Sequence, residues 1–235
     1  MIDEQDLKYR HEIKYQCSIT QIEIIKNRLK NLVDFDSHTK DGLYTVRSLY
    51  FDNYENKCYY ENENGTDPRE KFRIRIYNGD DSRISLECKR KEKTKTHKTT
   101  CIISKDGYDD ILNGGSFKDF DKKDDIYRKF IILLKTQLYK PAIITEYERI
   151  PYIYKDGNVR VTLDMNIRSS NDFKNFLNKE IKTRPIMQTG QHLVEVKYDE
   201  FFPDFIKGSL QLNNLQQTAF SKYYLCRKFS LGGNR

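Results

Sequence analysis

Apolar and polar residues alternate with period two in eight separate stretches of the chain. Tyr9–Tyr15 carries Arg10, Glu12 and Lys14 on one parity. Thr45–Asp52 reads TVRSLYFD, rich in β-branched and aromatic side chains. Lys71–Tyr77 reads KFRIRIY, with Lys71, Arg73 and Arg75 on one face and Phe72, Ile74 and Ile76 on the other. Arg83–Lys89 groups Arg83, Ser85, Glu87 and Lys89. Lys98–Ser104, Ala142–Ile150, Val159–Asp164 and Leu193–Tyr198 complete the set. Alternate side chains of a strand point to opposite faces, so these stretches predict β-strands. Asn78-Gly79 and Asp156-Gly157 fall between strands and predict tight hairpin turns.

The intervening segments change to helical spacing. Ile22, Ile25, Leu29 and Leu32 mark a helix over Thr20–Val33, capped by Ser18 with Gln21 or by Thr20 with Glu23. Asp109–Asn113 predicts a short helix stopped by Gly114-Gly115, and Asp125–Tyr139 a longer one carrying Ile126, Phe130, Leu133, Leu134 and Leu138. Asp172–Leu177 reads as a short helix, and Phe205–Phe229 as holding two more. The class is α+β, built on antiparallel strands. No internal repeat or low-complexity linker divides the chain, so residues 1–235 are taken as one domain.

The alternation itself is unusual in what it pairs. An ordinary half-buried strand puts its charges in water. Here five strands carry charged faces: Arg10/Glu12/Lys14, Lys71/Arg73/Arg75, Arg83/Glu87/Lys89, Arg160/Asp164 and Glu195/Lys197. With these faces outward, the helices at 20–33 and 125–139 have little apolar sheet to cover. With them inward, the apolar faces receive the helices, and the interior needs a strongly anionic ligand, because unpaired buried cations are costly. Alternation alone leaves both orientations standing.

Composition narrows the partner only to an anion. Among 235 residues, 42 Lys+Arg against 35 Asp+Glu give a net charge of +7. Nucleic acid, acidic lipid and phosphate metabolites all suit that charge. The run KRKEKTKTHK (Lys89–Lys98) reads as a solvated strip, a nucleic-acid patch or a hairpin at a tunnel mouth. It lacks the basic–aromatic interleaving of an RNA-binding module, so no nucleic acid is expected. Five dispersed cysteines without a CxxC pair, and four scattered histidines, argue against a disulfide framework or a zinc site and for a reducing compartment. The N-terminus MIDEQDLKYRHE is polar and acidic, unlike a signal peptide. The longest apolar run, Phe130–Leu134, is far short of the roughly 20 residues of a membrane span. A cytoplasmic protein without a membrane span is expected. No Gly-rich loop ending in Lys-Ser/Thr is present, which excludes a P-loop NTPase.

Eight motifs then occur in order: YRHEIKYQ, VRSLYFDN, REKFRIRIYNGD, LECKRK, ITEYERIPY, VRVTLDMNIR, LVEVKYDEFFP and AFSKYYLCRKF. From about Tyr9 to about Phe229 the chain resembles the VTC (vacuolar transporter chaperone) domain, the polyphosphate polymerase branch of the triphosphate tunnel metalloenzyme, or CYTH-like, superfamily. The resemblance implies an eight-stranded antiparallel β-barrel tunnel with a charged interior, flanked by helices. It implies transfer of the ATP γ-phosphate to a polyphosphate chain with Mn2+ or Mg2+. Lys14 matches the lysine closing the first strand, Arg73 and Arg75 the R-x-R pair, and Lys89 the basic residue of the E-x-K strand. Arg160 matches the arginine of the R-x-T-x-D strand, and Ser221 and Lys222 the C-terminal S-K pair. Lys98 and Lys197 are further phosphate-binding candidates.

Glu195, of the E-V-K strand, is the metal candidate, with Glu12 as a second. Bland roles stand beside these: Glu195 and Lys197 as a cross-strand ion pair, Glu12 as the counter-charge of Lys14, Lys222 as a solvated helix residue. Asp52, Glu87, Glu146, Glu148 and Asp164 are expected to balance tunnel cations, and His11, His38, His97 and His192 to have no special role. The family also has an arginine shortly before its R-x-R strand, where only Arg69 is available here. The first strand, Arg10-His11-Glu12-Ile13-Lys14, departs from the E-x-E-x-K signature of the wider superfamily, which weakens the case for triphosphate hydrolysis. The expected partners are ATP, inorganic triphosphate or polyphosphate, and any membrane partner is a separate protein. A non-catalytic polyphosphate-binding module and a triphosphate phosphohydrolase are the alternatives.

Overall fold

Each alternating stretch forms a strand, and hydrogen bonding extends most of them beyond the predicted bounds. The computed structural model describes residues 10–36, 39, 42–93, 95–117, 124–212, 215 and 217–232; Tyr9, His38 and Thr94 lie outside them. In chain order the elements are β1 (His11–Ser18), α1 (Ile19–Leu29), β2 (Asp34–Phe35), β3 (Tyr44–Asp52), α2 (Lys57–Glu63), β4 (Arg69–Tyr77), β5 (Asp80–Glu92), β6 (Lys95–Ile103), α3 (Lys105–Asn113), α4 (Asp125–Thr136), β7 (Lys140–Tyr154), β8 (Val159–Ser170), β9 (Arg184–Pro185), β10 (Gln191–Tyr198), α5 (Asp204–Leu210) and α6 (Lys222–Gly232).

Eight strands follow one antiparallel path, β1-β10-β8-β7-β3-β4-β5-β6, with β2 beside β7 and β9 beside β8. Asn78 (φ 54°) and Gly79 (φ 63°) both take the left-handed conformation that a two-residue hairpin turn requires. The sheet curls strongly into a half-barrel. Its edge strands approach at one bridge, where Arg10 N donates to Thr96 O at 3.1 Å and Thr96 N to Arg10 O at 3.2 Å. Farther along the β1 edge, Thr218 N donates to Lys14 O at 2.9 Å.

The helices settle which face is inside. Phe72, Ile74 and Ile76 of β4, with Ile84, Leu86 and Cys88 of β5, are buried in one cluster with Ile126, Phe130 and Ile131 of α4 and Tyr108 and Ile111 of α3. Val194, Val196, Val161 and Leu163 are buried with Ile22, Ile25 and Leu29 of α1 and Ile206 of α5. The apolar faces are therefore the convex ones, and the charged faces line the concavity. Burying each large aliphatic side chain contributes about 1.5–3 kcal/mol.

Local signals set the helix ends. Ser18 and Gln21 form the capping box of α1: Ser18 Oγ accepts from Gln21 N, and Gln21 Oε1 from Ser18 N. Gly114 closes α3 at φ 73°. Three expectations change. Leu32 lies past α1 and is exposed. Asp172–Leu177 is reduced to a 3-10 turn at Phe173–Asn175. Leu138 lies past the end of α4 and is exposed. A further element, α2, was not legible in the sequence. All five cysteines are buried: Cys17 beneath α1, Cys88 and Cys101 under α3 and α4, Cys58 in α2 and Cys226 in α6. Burial pushes the thiols of Cys17, Cys58, Cys88 and Cys226 up to about 12. Among the described residues no helix is long and apolar enough to cross a membrane.

Candidate functional site

Strand register assembles the concave wall. Lys14 of β1 lies opposite Glu195 of β10, and Glu12 opposite Lys197. Lys197 in turn faces Arg160 of β8, and Arg149 of β7 faces Asp164. On the other side Tyr50 of β3 pairs with Arg73 of β4, Arg73 with Glu87 of β5, Lys71 with Lys89, and Lys89 with Lys98 of β6. α6 crosses this wall. Phe220, just before it, is buried with Tyr44, Val46, Tyr147 and Leu193, and Lys222 Nζ lies 2.6 Å from Asp164 Oδ2.

The wall carries more positive than negative charge. Eight cations, Lys14, Arg73, Arg75, Lys89, Lys98, Arg149, Lys197 and Lys222, share the carboxylates of Glu12, Glu87, Asp164 and Glu195, and Lys71 is a ninth cation of the wall. Glu87 meets Arg73 at 2.6 Å, Arg75 at 3.6 Å and Lys98 at 3.2 Å. Glu12 meets Lys14 at 2.5 Å, Lys89 at 2.8 Å and Lys197 at 4.0 Å. Glu195 meets Lys197 at 3.1 Å and Arg149 at 3.5 Å. Burial opposes ionisation of Glu12, but Lys89, then Lys14 and Lys197, outweigh it and hold its pKa at about 2. Burial likewise opposes ionisation of Glu195, and Lys197 and Lys14 hold it well below the usual carboxylate range. For Lys89 burial prevails over Glu12 and brings the amine down to about 8.

The sequence-derived residues fall into distinct places. Lys14, Arg73, Arg75, Lys89, Lys197 and Lys222 sit in the lumen, and Ser221 heads α6 beside Lys71. Lys98 is half exposed at the rim. Arg160 also lies toward the mouth, bound to Asp36 at 2.5 Å and to the Tyr44 hydroxyl at 3.2 Å.

Of the expected counter-charges, Glu87 and Asp164 do face lumen cations. Glu146 does not: it pairs with Arg47 on the convex face, because Thr145, Tyr147 and Arg149 hold the inner parity of β7. Glu148 shares that outer parity, approaches Arg168 and accepts from Asn166. Asp52 instead accepts from the amides of Cys58 and Tyr59 and from the Tyr223 hydroxyl, tying α2 to α6. Arg149 was not singled out from the sequence, and Lys71 was placed on the charged face of its strand but not among the phosphate-binding candidates. For Arg149 the signal was the Thr145/Tyr147/Arg149 parity inside ITEYERIPY, and for Lys71 it was the KFRIR parity already noted.

Glu12 and Glu195 suit a hard divalent cation in kind. They are ionised oxygen donors on the inner faces of adjacent strands, diagonal to one another, and Glu195 is near enough to push against the ionisation of Glu12. Among the described residues no group of three or more His, Cys, Asp or Glu side chains is placed to hold an ion. Phosphate oxygens and water would have to complete the coordination, as is usual for Mg2+.

A curled antiparallel sheet with helices outside and a cationic lumen is the architecture of the triphosphate tunnel class. HpAC1 of Hippeastrum, described as a candidate adenylyl cyclase with a dominant triphosphatase activity, superposes with a TM-score of 0.54 at 15% identity, over 93% of this chain and 95% of that one. A candidate adenylate cyclase of Vibrio parahaemolyticus gives a TM-score of 0.49 at 10% identity, over 94% and 98%. A Pyrococcus horikoshii protein also gives 0.49, at 17% identity, over 97% and 100%. No curated protein matches the chain in sequence. The VTC domain profile matches residues 9–230, and the chain belongs to the VTC domain family.

Proposed function

We propose that this protein is a polyphosphate polymerase-like phosphotransferase that binds ATP and polyphosphate in its lumen and moves the γ-phosphoryl group of ATP to the end of the chain. The observation that supports this best is the excess of lumen cations over carboxylates, which a ligand carrying several phosphates would balance. Arg73 and Arg75 offer planar forks for phosphate oxygens, while Lys14, Lys89, Lys197 and Lys222 supply point charges along the chain. Phosphoryl transfer asks little covalent chemistry of the protein: the bond from the γ-phosphorus to its bridging oxygen breaks, one to the acceptor oxygen forms, and ADP leaves. The lumen residues would hold donor and acceptor in line and neutralise the charge between them. Glu195 and Glu12 would hold a divalent metal, which would supply positive charge against the phosphates. Residues 1–235 would act as one domain in the cytoplasm.

A second reading keeps the ligand and drops the reaction. It is favoured by the engagement of Glu195 with Lys197 and Arg149, and of Glu12 with Lys14 and Lys89, which commits both metal candidates to ion pairs. Incubation with ATP and Mn2+, read on a polyphosphate gel, tests the proposal. A growing ladder is expected, and a protein that binds triphosphate tightly yet yields no ladder is the non-catalytic module.

A further inference from the structure

Lys71 differs from its lumen neighbours in its company. It lies on the inner face of β4 opposite Lys89. Its Nζ donates to Asn62 Oδ1 of α2 at 2.5 Å and to Ser221 Oγ at 3.4 Å, and stands 5.0 Å from the centre of the Tyr223 ring. All three partners are neutral. The other eight lumen cations each have a carboxylate within 4.0 Å; among the described residues Lys71 has none. Arg69, the arginine available ahead of the R-x-R strand, turns its guanidinium to the Thr66 carbonyl at 2.7 Å. Ser221 in turn caps α6: its Oγ accepts from the Tyr224 amide at 3.3 Å and its carbonyl from the Leu225 amide at 3.0 Å. The first turn of α6 thus adds partial positive charge beside the ammonium group.

We propose that Lys71, Asn62 and Ser221, at the N-terminus of α6, form a further phosphate subsite of the lumen, occupied by one phosphate group of an inorganic phosphate chain. The subsite rests on the tunnel reading above. Its chemistry differs from that at Arg73 and Arg75, where a phosphate competes with Glu87. At Lys71, among the described residues, no resident anion has to be displaced. An incoming phosphate supplies the missing counter-charge, while the Asn62 amide and Ser221 hydroxyl can donate to its other oxygens.

The same isolation makes occupancy sensitive to protons. Burial first, then Arg69 on its own strand and Lys89 on β5, bring the Lys71 amine down to about 7; Lys14 on β1 adds to this, and Cys58 on α2 opposes it. Glu61 on α2 and Tyr223 on α6 complete the titratable surroundings. A bound phosphate favours the ammonium form, so binding near pH 8 draws in a proton.

Calorimetry with inorganic triphosphate at pH 8, in two buffers of different ionisation enthalpy, reads affinity and proton uptake together. The wild type should take up a fraction of a proton. Lys71→Met should bind roughly ten- to hundredfold more weakly and take up less. Lys71→Arg should keep the affinity and lose the same share of uptake, because a guanidinium stays charged; uptake by other lumen groups is common to all three proteins. If Lys71→Met fails to fold by thermal melting, the uptake of Lys71→Arg decides. A wild type that binds, with variants matching it in both quantities, overturns the subsite and leaves the tunnel reading intact. A wild type that does not bind overturns both.

Discussion

Arg73 is held from two sides, by Glu87 and by the Tyr50 hydroxyl at 2.8 Å, so its guanidinium is aimed before any ligand arrives. Arg73→Ala leaves Glu87 balanced by Arg75 and Lys98 and should therefore fold. It should weaken triphosphate binding by about 2–3 kcal/mol, roughly thirty- to hundredfold, as read by calorimetry. Glu195→Gln keeps the shape and removes one charge. It should abolish metal-dependent turnover while triphosphate binding without Mn2+ stays within a few-fold of wild type; equal binding losses in the two variants would sink this division of roles. Lys71 bears on stability as well. Its folded pKa lies below the unfolded one, so between about pH 7 and the ordinary lysine range the unfolded chain holds a proton that the folded protein has released. Stability should rise with pH across that window. Urea unfolding at pH 6.5 and pH 9 should show the rise in wild type and a smaller one in Lys71→Met. Most lumen residues were legible because strand parity carries them as a set. Arg149 was not, because two glutamates flank Tyr147 in TEYER and draw the eye to the wrong parity. Asp52 was misread because its partners are backbone amides, which leave no trace in side-chain spacing.

The elements show the same division between local and distant causes. The alternating strands, the Asn78-Gly79 turn and the Ser18–Gln21 box were legible, since each is decided within a few residues. α2 was not: Asn56 enters it at φ 58° without a side-chain cap, and its Cys58 and Tyr59 amides are taken up by Asp52, six residues before Cys58. The bulge in β8 was equally hidden. It shifts register between Glu146 and Glu148 and places Asn166 at φ 51°. Aromatic rings pin α4 to the sheet: fully buried Phe130 meets Phe51 of β3 edge-on at 4.9 Å and stacks on Phe72 of β4 at 5.1 Å. Phe130→Ala should cost about 3–5 kcal/mol in urea unfolding, and Ser18→Ala about 1 kcal/mol. Both lie on the convex side, so the folded fraction of each should still bind triphosphate.

For the molecule as a whole, one arrangement serves both structure and the proposed ligand: apolar faces turn outward to helices, and charged faces turn inward to the lumen where a phosphate chain would lie. Alternation left that orientation open, and only the packing of α1 and α4 decided it. A protein whose lumen carries unbalanced positive charge should melt higher when an anion fills it. Triphosphate at one hundred times its dissociation constant should add about 2.7 kcal/mol of stability, and the gain in melting temperature should shrink as salt is raised from 50 to 500 mM. No change in melting temperature at millimolar triphosphate would count against the tunnel reading. The five buried cysteines give the molecule something further, a set of native clocks. A thiol with a pKa near 12 beneath a helix reacts with an alkylating reagent only when that helix lifts, so its labelling rate reports the opening of one region. Cys17 times the α1 side, Cys88 and Cys101 the α3–α4 side, and Cys226 the helix that crosses the lumen. Mass spectrometry of the labelled peptides would order these openings without a single introduced probe, and a ligand seated against α6 should slow Cys226 while leaving Cys17 at its own pace.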